Sequence, residues 1–247
     1  MPRLGYDKAV ARHLWFQGRA GPMLVSRPHA KDRLMTRLFC AAFAGLFIAA
    51  LAGAVEAEAP VGTFVYAIRH QDHGDIGTLT IVSTRQGDER VYDQQLHIAV
   101  KLLFVTAYHQ DSERKEAWRG DRLIAYDAKT DDDGKKSTIV GRAQGDKFVI
   151  DGPAGHFSAP ATVYPSNPFD PGIVTATLVM DTGSGKLLHV TVTPGAEETI
   201  TAGGGTMKAR RYAMTGDLQR DLWFDDSGKL LKFSFKNDGA LVTFTLK

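Results

Sequence analysis

From Gly62 to Lys247 the chain is a succession of β-type runs, closed by Gly, Asp or Asn at intervals of about ten residues. His73-Gly74-Asp75, Gln86-Gly87-Asp88, Arg119-Gly120-Asp121, Asp131-Asp132-Asp133-Gly134 and Gln144-Gly145-Asp146 each separate two such runs. Gly and Asp supply the positive-φ and locally hydrogen-bonded positions that tight hairpins require. Between turns the alternation has period two. Leu231, Phe233 and Phe235 share one face of 229–236, with Lys232, Ser234 and Lys236 on the other. Val242, Phe244 and Leu246 alternate with Leu241, Thr243 and Thr245 in the same way. That pattern marks sheets with one dry face.

The spacing predicts an all-β protein of about twelve antiparallel strands. So many strands must curl to cover the apolar face and protect their edges. A large, strongly curved sheet, either a half-barrel or an open β-barrel, is the expected architecture. One short helix is expected near 171–180, where Asp170-Pro171 resembles an N-cap followed by proline. The β-branched Ile173, Val174, Thr175 and Thr177 argue against it. The natural place for such a helix is the concave side of the sheet. The Pro- and Gly-rich stretch 152–172 divides the chain unequally, yet Val163, Tyr164 and Phe169 suggest a segment packed on the body. Residues 58–247 are therefore read as one β domain.

The N-terminal part reads differently. Met35-Thr36-Arg37 precedes an apolar run from Leu38 to Val55, followed by the small residues of Val55-Glu56-Ala57. A basic start, an apolar core and an A-x-A-like end predict a signal peptide over 35–57, and hence export to the periplasm or beyond. An uncleaved membrane anchor is the competing interpretation, since the run is near the minimum spanning length. Residues 1–34 are expected to be a mis-assigned or disordered extension, with Met35 as the start. The formal net charge of +2 hides an asymmetry. Past residue 57 there remain 22 basic and 25 acidic side chains, which gives no electrostatic case for nucleic acid. The single cysteine, Cys40, lies inside the apolar run, so the body has no disulfide or thiolate chemistry.

Two stretches carry a resemblance. One is Val100-Lys101, Tyr108, 116–123 and 130–134; the other is 209–212 followed by 222–230. Together they resemble a bacterial family of exported proteins of unknown function. Such proteins are similar to the superfamily that includes the lipoprotein-localisation factors LolA and LolB. The resemblance implies a curved antiparallel sheet around a short helical plug, enclosing an apolar cavity; no cofactor is expected.

Motifs for chemistry are sparse. Leu178-Val179-Met180-Asp181-Thr182-Gly183-Ser184 matches the aspartic-protease pattern, but that chemistry needs two carboxylates sharing one proton, and no second copy exists. A Gly-rich turn before a strand at Leu187 is the better interpretation. His70, Asp72 and His73 form a weak candidate metal cluster, with a solvated turn as the alternative. Asp131-Asp132-Asp133-Gly134 lacks the remaining ligands of a calcium loop. No serine sits in a nucleophile elbow, and His97, His109, His156 and His189 read as strand residues. No catalytic residue is assigned. Tyr66, Trp118, Arg211, Tyr212 and Trp223 are the candidate ligand-contacting residues, the last three at an opening suited to an anionic head group. The expected role is a periplasmic carrier of a lipid or other apolar molecule. The alternatives are a non-catalytic envelope factor that binds another protein across its sheet, and a secreted hydrolase.

Overall fold

The computed structural model describes residues 60–102 and 105–247; the signal-peptide and extension readings fall on residues outside these. Fifteen strands follow one another: β1 Gly62–His70, β2 Gly74–Gln86, β3 Glu89–Leu102, β4 Val105–Arg119, β5 Arg122–Asp132, β6 Lys135–Gln144, β7 Lys147–Gly152, β8 Gly155–Pro160, β9 Tyr164–Pro165, β10 Leu178–Met180, β11 Leu187–Ala202, β12 Gly205–Gly216, β13 Arg220–Phe224, β14 Leu230–Asn237 and β15 Ala240–Leu246. They form one curved sheet in the order β8 to β1, then β15 to β9. Apart from β1 beside β15, every neighbour in the sheet is a neighbour in sequence. All pairs are antiparallel except β9 with β10. The all-β expectation holds, with three more strands than the alternation marked. β8, β9 and β10 were the hidden ones: two are too short to show a period, and β8 reads Gly-His-Phe-Ser-Ala-Pro.

The two edges of the sheet meet. β8 ends at Pro160 and β9 begins at Tyr164, so three residues span the gap. Ala161 ties the crossing down: its N–H donates to Asp146 O at 3.1 Å, and its carbonyl accepts from Leu123 N at 3.0 Å. At a second point Ala154 N donates to Ser184 O at 3.1 Å, joining the β7–β8 turn to the β10–β11 turn. Gly152 is required here, because a Cβ on it would stand 2.7 Å from that same Ser184 carbonyl. The sheet is thus open in its strand pairing yet drawn together into a barrel-like shape.

The interior is filled by the chain itself. Residues 163–176 enter the concave side, with Val163, Phe169, Pro171 and Ile173 buried. The expected helix over 171–180 is a short 3-10 turn, Pro171–Thr175, capped by the Asp170 carboxylate, which accepts from Gly172 N at 3.0 Å. It ends there because the β-branched residues around Thr177 continue as β10. The plug is held by aromatic contacts to the wall: Phe169 lies 5.2 Å from Phe64 and 5.0 Å from Tyr92, and Tyr164 lies 5.2 Å from Trp118, between ring centroids.

The sheet carries a second, smaller core on its outer face. Past the bulge between Pro194 and Glu197, the β11–β12 hairpin bends over, and Gly203 N reaches Leu246 O at 2.8 Å. Ala202 and Ala209 close over Trp223 and Leu231, with Ile200, Met207 and Leu246 around them.

Candidate functional site

The wall from β2 to β6 differs from the rest of the sheet on both faces. Its inner side, largely apolar on β2 and β6, is polar along β4 and at Gln94 of β3. Cross-strand register places Tyr92, Glu116 and Tyr126 in one inward row, and Gln94, Arg114 and Ala128 in the next. Strand β4 alone turns Gln110, Ser112, Arg114 and Glu116 inward, all buried. The plug answers with Asn167 and Asp170. The Tyr92 hydroxyl donates to Asp170 Oδ2 at 2.9 Å, and Arg90 Nη2 stands 3.4 Å from the same oxygen.

Glu116 is the centre of this contact. It accepts from Gln94 Nε2 at 2.6 Å and from Trp118 Nε1 at 3.2 Å. Burial disfavours its charged form and, with Asp170 nearby, pushes its carboxyl up to about 7. Burial likewise raises the Tyr92 and Tyr126 hydroxyls and lowers Arg220 to about 10. Arg220 enters from β13, donates to Ser166 O of the plug, and lies over the rings of Phe233 and Phe235 at 6.0 and 5.3 Å. The Asn167 amide stands by the Glu116 carboxyl, and among the described residues Tyr126 Oη, Arg220 Nε, Gln94 Oε1 and Gln110 Oε1 are enclosed without a hydrogen-bond partner. Each such group costs about 1–3 kcal/mol, so a cluster of them calls for an explanation.

The outer side of the same wall is a trough of about 450 Å³. It runs across the strands, and two outward rows form its banks. One is Val82, Asp93, Lys115, Asp127 and Val140; the other is Thr80, Gln95, Glu113, Lys129 and Thr138. Four inter-strand spacings make it about 19 Å long. Valines stand at both ends of the first bank, Val82 and Val140, each more than a third exposed. Between them acid and base alternate, with Lys115 Nζ 3.4 Å from Asp93 and Arg142 2.8 Å from Asp127. Beyond the second bank lies a row with His97 beside Asp111, Nδ1 to Oδ1 2.6 Å, and Asp131 next to them.

The five residues singled out in the sequence are not brought together. Tyr66 and Trp118 point inward and are fully buried, Tyr66 donating to Leu230 O at 2.9 Å. Arg211 and Tyr212 are consecutive on a strand, so they face opposite sides. Tyr212 packs against Phe224 on the inner core, with ring centroids 6.1 Å apart. Arg211 and Trp223 face outward, where Arg211 and Lys232 flank the indole at 5.8 and 4.4 Å. The Arg211 guanidinium is also paired with Asp221 at 2.9 Å. In the candidate metal cluster, His70 Nδ1 accepts from Asp72 N at 3.1 Å and its ring lies 4.7 Å from that of His73. Among the described residues no group of three His, Cys, Asp or Glu is set to hold a metal ion. Asp181 to Lys186 is a closed turn: Gly185 N donates to Asp181 O at 2.8 Å and Ser184 Oγ to Asp181 Oδ2 at 2.5 Å. The residues that sequence reasoning passed over are Gln94, Gln110, Ser112, Arg114 and Glu116. Their signal was present: every residue of 110–116 is polar, so both faces of that strand are.

Residues 66–247 match the family model described as DUF6134, a domain of unknown function. The chain belongs to the DUF6134 family. Its fold is similar to that of a solved β-barrel-like protein of the DUF1849 domain of unknown function from Brucella abortus. The TM-score is 0.53 at 10% identity, covering 75% of this chain and 95% of that one. No curated protein matches. The likeness shows the barrel-like fold, and the polar wall with its trough is described from this DUF6134 chain itself.

Proposed function

We propose that this DUF6134 chain is an exported, non-catalytic binding protein of the cell envelope, whose ligand is another polypeptide held along the outer trough of β2–β6. The trough carries the reading: it is the recessed part of an outer face that no other part of the described chain covers, whereas β11–β12 folds over the other half. Its charges alternate in sign within β4 and β5 and along each bank, so a uniformly charged nucleic acid or anionic membrane surface gains little there. A polypeptide segment carrying both signs, with apolar side chains towards Val82 and Val140, matches it. Export rests on the pattern of residues 35–57.

A carrier of apolar cargo is the second reading. The resemblance to the LolA and LolB type favours it, as does the aromatic lining of Phe64, Tyr92 and Trp118. Phe169 and Tyr164 occupy the position such a cargo would take, so this role requires residues 163–176 to move out.

A photo-crosslinking side chain placed at Val82 or Val140 tests the first reading, with one at the exposed Leu241 as control. The expected result is one discrete adduct from envelope extracts at the first two positions, lost when Lys115→Glu and Lys129→Glu are added. An identical adduct pattern from all three positions, or indifference to charge reversal, would overturn it. Saturable uptake of a fluorescent fatty acid by the unmodified protein would favour the carrier reading instead.

A further inference from the structure

The two edges of the sheet are finished in different ways. β9 is two residues long, ends in a proline and belongs to the plug, with Tyr164 against the Trp118 ring. β8 is six residues long and lies at the surface, where Gly155, His156, Ser158 and Pro160 are exposed. Both ties across the seam fall outside it, at Ala154 and at Ala161.

Hairpin geometry decides which backbone groups of β8 face away from β7. Pro153 and Ala154 form a two-residue loop, so Gly152 and Gly155 are a hydrogen-bonded pair. Bonded pairs then alternate along the ladder, and Phe157 and Ala159 direct their N–H and C=O groups to Ile150 and Phe148. His156 and Ser158 turn theirs outward, and none of these four groups meets a partner among the described residues. The outward run is closed at both ends. Ala154 N donates to Ser184 O, while Pro160 has no N–H and its carbonyl accepts from Val163 N. Two donors and two acceptors remain, placed symmetrically about Phe157.

We infer that β8 is a docking edge for a second copy of this chain, paired antiparallel about a two-fold axis at Phe157. His156 of each copy then faces Ser158 of the other, and all four outward groups of each edge are bonded. Ala154 of one copy lies towards Pro160 of the other, so the closed ends coincide. A longer foreign strand gains no bond past those ends, whereas an edge closed at the same two points leaves nothing unpaired. Phe157, half-buried against the inner core, meets its own copy in the closely spaced non-bonded pair, which adds apolar contact. No like charges are opposed. β8 has no acidic residue, no Lys and no Arg, and the His156 imidazole is held by Asp151 of β7, Nδ1 to Oδ1 2.7 Å. The edge thus lacks the lysine or inward charge with which sheets block such pairing.

Sedimentation of the full chain carrying Cys40→Ser, from micromolar to millimolar concentration, tests this. The expected result is a dimer that becomes a monomer when Ser158→Pro is added. That change removes one outward N–H per copy and no bond to β7, so circular dichroism should show the strand content unchanged. In the same background Phe157→Cys should form a disulfide with its copy under mild oxidation, since the two Cα atoms stand about 4.5 Å apart. Ser158→Cys should not, because its two Cα atoms lie about 8–9 Å apart. A monomer at every concentration, a dimer that Ser158→Pro leaves intact, or cross-linking at 158 rather than 157 would overturn the edge pairing.

Discussion

The two halves of the sheet differ in how much polar chemistry they bury on the same inward face. From β12 through β15 to β1 the interior is apolar apart from Arg220 of β13, which reaches in to the plug: Met214, Leu222, Leu230, Phe233, Val242, Phe244 and Ile68 interlock. Even the outer face of this half gains a second core, because the β11–β12 hairpin folds over Trp223 and Leu231. From β3 to β5 the interior holds Gln94, Gln110, Ser112, Arg114 and Glu116, and the outer face is a trough. One half has layers of apolar packing on both sides of its strands. The other accepts enclosed polar atoms that weaken it. Proteins depart from local consistency in this way chiefly at sites that do something, so the asymmetry points to β2–β6 as the working half.

The largest effect is expected in the apolar half. Phe244 is fully buried and stacks on Phe233 with ring centroids 4.2 Å apart and planes 18° from parallel. Phe244→Ala should cost about 3–5 kcal/mol by leaving a cavity in a tightly packed region. Denaturant unfolding at equilibrium checks this. A loss below about 1 kcal/mol would show that this half is no better packed than its partner, and the contrast would fail.

The polar half makes a prediction about pH. The Glu116 carboxyl is raised from 4.5 to about 7 by burial first, then by Asp170. The folded state therefore holds a proton that the unfolded state releases between those two values. Stability from this group is fully present below about pH 4.5, falls as pH rises to about 7, and is flat beyond; the whole span is about 3 kcal/mol. Glu116→Gln keeps an acceptor for Gln94 and removes the titration. Its unfolding free energy should lose that slope between pH 5 and 7, while Phe244→Ala keeps it. Equal slopes in Glu116→Gln and the unmodified protein would place the carboxyl in a solvated setting.

Much of this fold was legible because alternation survives wherever one face is dry. Phe233 and Phe235, then Val242 and Phe244, announced β14 and β15, and the Gly-Asp turns announced most of the hairpins; Leu231, read on the face of Phe233, is the extra residue of the bulge opposite Trp223 and Phe224 and lies in the outer core instead. The tie across the seam was not legible, since Ser184 and Ala154 are joined by backbone groups that every residue has. The plug was half legible: Asp170-Pro171 gave its cap, but β-branched Ile173 and Val174 concealed how soon the turn would end. Arg211 and Tyr212 failed as a joint site for a simple reason, the two-residue period that sends neighbours to opposite faces. The polar wall was the hardest to see. Gln110 to Glu116 looks like a solvated stretch when alternation is sought only in apolar residues, and a strand polar on both faces belongs either at a wet surface or against an equally polar partner. The partner here is Asn167 and Asp170, more than fifty residues away in the chain.

The smallest effect on stability tests the outer face of the working half. Lys115 and Lys129 are exposed, Lys115 pairing with Asp93 at 3.4 Å. Exposed pairs contribute little, because water screens them and the side chains lose freedom in forming them. Lys115→Glu with Lys129→Glu should therefore shift the unfolding free energy by only about 0.5 kcal/mol. It should leave the pH slope of Glu116 intact, since the strand backbone separates the banks from the inner row. The same pair of changes adds four negative charges' worth of difference to a trough that already carries Asp93, Glu113 and Asp127. A partner matched to alternating charge should lose affinity steeply at low salt and recover part of it as salt screens the repulsion. A large stability loss without any change in binding would mean that these lysines hold the sheet rather than a ligand, and the trough would then be a feature of the fold's curvature alone.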